Sequence, residues 1–141
     1  MRKKILRITT VPVSFKLLKG QLNMLNRLYE VVAVSSPGKE LEEIGESEGV
    51  RTEAVSMERR IALVQDLKSL FALIRLIRKE KPWMVHTMTP KAGLLGMLAA
   101  WICKVPVRMH TFTGLVFPTA TGVKKHLLML TDRITCACAT F

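Results

Sequence analysis

Short apolar runs alternate with longer amphipathic ones along the chain, and their periods assign most of it before any chemistry is considered. KILRITTV (4–11) reads as a strand that Pro12 interrupts. Ser14 is placed to cap a helix reaching about residue 28, with Leu18, Leu22, Leu25 and Leu28 on one face. YEVVAVSS (29–36) is a second strand closed by Pro37-Gly38, KELEEIGESEG a short acidic helix, and VRTEAVS (50–56) a third strand. Over 63–80, Leu63, Leu67, Leu70, Phe71, Ile74 and Ile77 recur at helical steps until Pro82. WMVHT (83–87) is a fourth strand, 90–103 a helix and VPVRMHT (105–111) a fifth strand. Val123, Leu127, Leu128, Leu130, Ile134, Ala137 and Cys138 then line up at helical spacing. Residues 133–138 hold β-formers, but the unbroken period favours a helix there.

Strands separated by helices of this length imply a mostly parallel sheet covered on both faces. The expected fold is a Rossmann-like α/β three-layer sandwich with strand order 3-2-1-4-5. Ligands in such sheets gather beyond the carboxyl ends of the strands, near the switch between strands 1 and 4. The 141 residues suffice for one hydrophobic core. They stop at Phe141, where a doubly wound domain would start another strand, so a truncated piece of a larger enzyme is expected.

The formal charge of +11 adds a preference for anionic partners: nucleic acid, a phosphorylated metabolite or an acidic lipid surface. Basic residues are scattered, zinc-finger and leucine-zipper spacings are missing, and aromatics reach only 6 %, which disfavours a base-stacking platform. Arg7 breaks the apolar run that a leader peptide would need, and 92–103 is too short to span a bilayer. The odd cysteine count (Cys103, Cys136, Cys138) fits packing in a reducing compartment rather than a disulfide scaffold.

VHTMTPKAGLLGMLAA (85–100) concentrates the chemistry. Thr89 is placed as N-cap and Pro90 as first helical residue, so the amides of that turn, with Lys91, form a candidate site for phosphate or carboxylate. The small residues that follow let the helix approach the sheet closely. His86 near the end of the fourth strand and His110 near the end of the fifth are expected to share a cleft and to serve as base or hydrogen-bonding groups. No third metal-type ligand falls at suggestive spacing, so no metal is expected. The first crossover lacks GxGxxG and an acid at the end of strand 2, which excludes a nicotinamide cofactor. Gly20, inside a helical stretch, allows a close backbone approach to a ligand.

LLKGQL (17–22), VVAVSSPGKELE (31–42), VHTMTPKAGLLGMLAA, VPVRMHT and ATGVKKHLL (120–128) together resemble the N-terminal half of family 4 glycosyltransferases, nearest in kind to bacterial enzymes of capsular or O-antigen polysaccharide assembly. The resemblance implies two Rossmann-like domains facing each other (the GT-B arrangement), with this one on the acceptor side and the nucleotide-sugar donor held by the other. It implies metal-independent, cofactor-free transfer with retention of anomeric configuration. It further implies a lipid-linked sugar acceptor, handled by a cytoplasmic protein peripherally associated with the acidic inner-membrane surface. Carried over by position, Gly20, Gln21, His86 and Lys91 shape the acceptor side, while His110, Thr111, Thr113 and Gly114 approach the transferred sugar, His110 and Thr113 as catalytic candidates. Met88 stands where relatives have a second histidine, and Thr113 where many have a histidine before the glycine.

Three other classes make different demands. A nucleotide-sugar 2-epimerase shares the architecture but needs acids at the strand ends, where none is seen. A nucleic-acid module needs one continuous basic stripe. A regulatory domain would bury His86 and His110 in separate places.

Overall fold

Lys4–Ile8 (β1) and Glu30–Ser35 (β2) are buried along nearly their whole length, because a parallel sheet with helices on both faces leaves its central strands no contact with water. The computed structural model describes residues 3–10, 15, 20–57, 63–111 and 122–140. Besides those two strands it contains helices Gln21–Asn26 (α1) and Lys39–Glu48 (α2), strand Arg51–Ala54 (β3) and helix Leu63–Glu80 (α3). Strand Met84–Thr87 (β4), helix Pro90–Ile102 (α4), strand Val107–His110 (β5) and helix Gly122–Cys138 (α5) follow. The sheet order is β3-β2-β1-β4-β5, every pairing is parallel, and the expected Rossmann-like architecture is what forms.

Two elements depart from the sequence reading. The first helix is described only from Gln21 and stops at Asn26, so Leu28 is 71 % exposed instead of continuing the apolar face. Asn26 ends it by turning its side chain outward from the helix, accepting from the Val31 amide at 3.1 Å and donating to the Gly49 carbonyl at 3.0 Å. Ser14 and Leu18 lie outside the described residues. The fifth strand starts at Val107, two residues late, since Pro106 has no amide and the Val105 amide donates to the Ala100 carbonyl at 3.0 Å. The β-formers at 133–138 are helical, and Thr135 Oγ1 donates back to the Thr131 carbonyl at 2.9 Å. Past α5 the backbone returns to the outer edge of β5, where the Thr140 amide donates to the Arg108 carbonyl at 2.7 Å.

Each face of the sheet has its own core. Leu22, Val31, Ala33, Leu41, Ile44 and Phe15 pack on one side under α1 and α2. Leu6, Ile8, Val32, Val34 and Val85 pack on the other against α3 and α4, with Cys138 of α5 joining them. Helix α4 is apolar nearly all round and is wedged between the sheet, α3 and α5. Its closeness depends on missing side chains: a β-carbon at Gly96 would come within 2.5 Å of the Thr87 methyl group. At the amino edge of the sheet, the buried Glu80 carboxylate receives Lys4 Nζ at 2.8 Å and also Arg51 Nη2. Burial alone would raise Glu80, but Arg51 and Lys4 outweigh it and hold the acid below its ordinary range.

Candidate functional site

The carboxyl edge of the sheet is organised by α4. Thr89 occupies the N-cap in extended conformation and Pro90 opens the helix, as the sequence predicts. The Thr89 hydroxyl, however, does not cap its own helix. It accepts from the Thr10 amide at 3.0 Å and lies 2.7 Å from Thr10 Oγ1. Thr10 Oγ1 in turn accepts from the Ala92 amide at 3.3 Å, so the cap comes from the chain just beyond β1. The Lys91 ammonium is 2.6 Å from Asp66 Oδ1 on α3, with only 9 % of its side chain exposed. The turn expected to receive an external anion through Thr89 and Lys91 therefore uses those groups internally, for the carboxylate of Asp66 and the loop after β1. That carboxylate is 25 residues away and invisible to local spacing.

The two histidines are near each other but not on one face. In register His86 pairs with Met109 and Thr87 with His110, and paired residues of a parallel sheet point to the same side. His86 therefore faces the α1/α2 side and His110 the α3/α4 side, a correction to the expected shared cleft. Each is held by a threonine of the other strand's segment. His86 Nε2 lies 2.7 Å from Thr111 Oγ1, and His110 Nδ1 lies 2.7 Å from Thr87 Oγ1. Burial, then the nearby Arg7 cation, then His110, push the His86 imidazole down to about 4, so it is neutral at pH 7. Burial lowers His110 as well.

The α1/α2 side of β4 and β5 is the more open one. Met84, His86, Val107 and Met109 line it, all half-buried. Thr111, exposed, and Gln21, exposed at the start of α1, border it. Arg7, paired in register with His86, lies beneath and is 2 % exposed. Its Nη1 donates to Gln21 Oε1 at 3.1 Å and its Nη2 to the Met88 sulfur at 3.3 Å. Met88 thus lies buried against a guanidinium. Sequence reading passed over Arg7 as a break in an apolar run. A charge inside an otherwise apolar central strand was the signal available.

Gly20 adopts φ +86° immediately before α1, and its amide donates to the buried Glu48 carboxylate at 2.7 Å. A β-carbon there would meet open space, so backbone conformation and not crowding calls for glycine. Thr113 and Gly114 lie outside the described residues. Among the described residues no group of three histidine, cysteine or acidic side chains could hold a metal ion, and the three cysteines are free thiols. A neutral imidazole, a hydroxyl and a carboxamide near one another at this edge can donate to and accept from hydroxyl groups of a ligand.

Over 139 residues the chain is 42 % identical to the capsular polysaccharide biosynthesis glycosyltransferase CapM of Staphylococcus aureus, covering 98 % of this chain and 36 % of that protein. Over 59 residues it is 46 % identical to an Escherichia coli UDP-Gal:alpha-D-GlcNAc-diphosphoundecaprenol alpha-1,3-galactosyltransferase, covering 42 % of this chain and 15 % of the relative. The chain thus spans about a third or less of the length of these relatives. In three dimensions it matches the crystal structure of a UDP-N-acetylglucosamine 2-epimerase from Listeria monocytogenes with a TM-score of 0.71, at 17 % identity, over 100 % of this chain and 39 % of the other. That likeness is one of fold. Residues 19–141 match the family described as Glycosyl transferase 4-like domain, and the chain belongs to that family.

Proposed function

We propose that this chain supplies the acceptor-binding half of a nucleotide-sugar-dependent glycosyltransferase of bacterial cell-surface polysaccharide assembly. The observation that carries the reading is the 42 % identity to CapM across 139 residues. The grouping of His86 with Thr111, and of Gln21 with Arg7, at the carboxyl edge of the sheet supports it. In this reading a second Rossmann-like half binds the donor, and transfer retains anomeric configuration. The bond from the anomeric carbon to the donor diphosphate breaks, a bond to an acceptor hydroxyl forms, and the hydroxyl proton leaves with the diphosphate. Neutral His86, with Thr111 and Gln21, orients the acceptor. His110, braced on Thr87 on the other face, steadies the end of β5 that carries Thr111, and the roles of Thr113 and Gly114 toward the transferred sugar rest on the resemblance alone. Lys91 acts by fixing α3 to α4.

The acceptor is read as a lipid-linked sugar at the cytoplasmic face of the inner membrane. Among the described residues no helix is long and apolar enough to cross a membrane. Contact with the bilayer is assigned to the first turns of α3, where Leu63, Val64, Leu67 and Phe71 are all more than half exposed on a chain of net charge +11. The Asp66–Lys91 pair joins those turns to the start of α4, at the carboxyl edge of the sheet.

The test is transfer of radiolabelled sugar from nucleotide donors to a polyprenyl-diphosphate-linked acceptor by the whole protein that carries this chain. Product is expected there and none from the 141 residues alone. Turnover by the 141 residues alone would overturn the division into halves, and epimerised donor without transfer would overturn the glycosyltransferase reading.

A further inference from the structure

Helices α3 and α4 end at the amino edge of the sheet in closely similar ways. Beyond Glu80, the Lys81 amide donates to the Ile77 carbonyl at 2.8 Å, the single bond of a left-handed helix stop. Beyond Ile102, the Lys104 amide donates to the Trp101 carbonyl at 3.1 Å and the Val105 amide to the Ala100 carbonyl at 3.0 Å. Those two bonds are the paired closure of a Schellman motif. Both stops put a lysine at the left-handed position, with φ +50° at Lys81 and +57° at Lys104. Glycine is the usual occupant there, because a β-carbon meets steric resistance at positive φ. Lys81 is restricted further by Pro82, which follows it. Among the described residues, no other non-glycine residue has positive φ.

The two stops flank one cavity of about 470 Å³. Ile77, Pro82 and Val105, all buried, give it an apolar floor. Arg78, Lys81 and Lys104, all exposed, bring three cations to its wall, and no acidic residue is among those lining it. None of the three meets a carboxylate among the described residues. The negative ends of the helix dipoles favour cations nearby, but basic residues inside the last helical turn serve that purpose without positive φ. Arg78 and Lys79 already stand there in α3. Like charges around one hollow repel each other, and an anion among them removes that repulsion. A wholly apolar guest would leave the cations unanswered, and a bare inorganic anion would leave the apolar floor wet.

We infer that this cavity is a second binding site, for a small amphipathic anion whose phosphate head meets Arg78, Lys81 and Lys104 and whose short apolar part covers Ile77, Pro82 and Val105. Its volume is that of an ordinary small-molecule site. It lies at the edge of the sheet opposite His86 and Thr111 and does not depend on the transferase reading.

Titration calorimetry on the 141-residue chain tests this, with hexyl phosphate as the probe and inorganic phosphate and hexanol as its separate halves. Hexyl phosphate is expected to bind more tightly than either half. Lys81→Gly combined with Lys104→Gly is expected to weaken it at least about tenfold, and Arg78→Gln to weaken it as well. The paired variant is expected to melt no lower than wild type, since glycine relieves both left-handed positions, which separates lost binding from lost folding. Lys39→Gln removes an exposed charge from α2, on the other face of the sheet, and is expected to bind hexyl phosphate as wild type does. Sedimentation with phosphatidylglycerol vesicles separates two sources of the ligand. Displacement of the chain from vesicles by hexyl phosphate assigns the site to a lipid headgroup, and sedimentation indifferent to hexyl phosphate assigns it to a free amphiphile. Either result supports the site. Absence of hexyl phosphate binding, binding no tighter than that of inorganic phosphate, or equal binding by the paired lysine variant overturns it. A tenfold loss in Lys39→Gln reduces the effect to net charge and overturns it too. None of these readouts involves sugar transfer, so the site and the transferase reading stand or fall separately.

Discussion

The imidazole of His110 occupies the space that a side chain on Gly93 would need, with its Nδ1 only 2.7 Å from where a β-carbon at residue 93 would lie. The same nitrogen is 2.7 Å from Thr87 Oγ1, so helix α4, strand β4 and strand β5 converge on one ring. Gly93→Ala is expected to drive the ring away from Thr87 and to lower unfolding free energy by about 1–3 kcal/mol. Adding His110→Ala should restore part of that loss. Denaturant melts of the two single variants and the double variant check it, and strict additivity would place the strain elsewhere.

Acidification acts on His86. Its folded value of about 4 lies below the ordinary 6.5, so between those pH values the unfolded chain binds the proton more readily. The stability gained by keeping it neutral is whole above pH 6.5 and is lost as pH falls toward 4. His110 acts in the same direction, and protonation of Glu80 removes the amino-edge ion pairs at still lower pH. Urea midpoints across this range should fall steeply for the native chain and less steeply for His86→Asn. Parallel curves would assign the loss to other groups.

Lys91 and Asp66 are predicted to behave as one unit. Either Lys91→Met or Asp66→Asn should cost about 1–3 kcal/mol, because each leaves a mostly buried partner without its counter-charge. The double variant should cost less than the sum. Sugar transfer should fall alike in both single variants. Were Lys91 an anion ligand in its own right, Asp66→Asn would free it and tighten binding, the opposite result.

On α3, Leu67→Ser and Phe71→Ser are expected to change stability by no more than about 0.5 kcal/mol, since the side chains are 56 % and 64 % exposed. Both should reduce co-sedimentation with vesicles containing anionic phospholipid several-fold, and high salt should reduce it further. Unchanged sedimentation in the paired variant would remove this turn of α3 from the membrane contact.

Period counting recovered the strand order, the limits of α3 and the helical nature of 133–138, because each rests on many residues repeating one rule. It misplaced what depends on a single residue of phase. His86 and His110 both sit near strand ends, yet a one-residue offset in register turns them to opposite faces. The partner of Lys91 could not be read either, since Asp66 meets it only after α3 and α4 pack. The cap of α4 belongs to the same class: Thr89 is where a cap should be, but the Thr10 hydroxyl oxygen accepts from the Ala92 amide. Arg7 stayed hidden because a charge in a strand reads as a solvated one until the helix above it is in place.

The bonds from Thr10 to Thr89 and Ala92 tie together positions separated by 79 and 82 residues. During synthesis the first strand leaves the ribosome long before its clasp exists, and the carboxyl edge can take shape only after the second half of the sheet has docked. Peeling that strand away later would undo the helix start and the seat of His86 in one event. The carboxyl edge accordingly belongs to the global folding unit and not to a separately fraying rim.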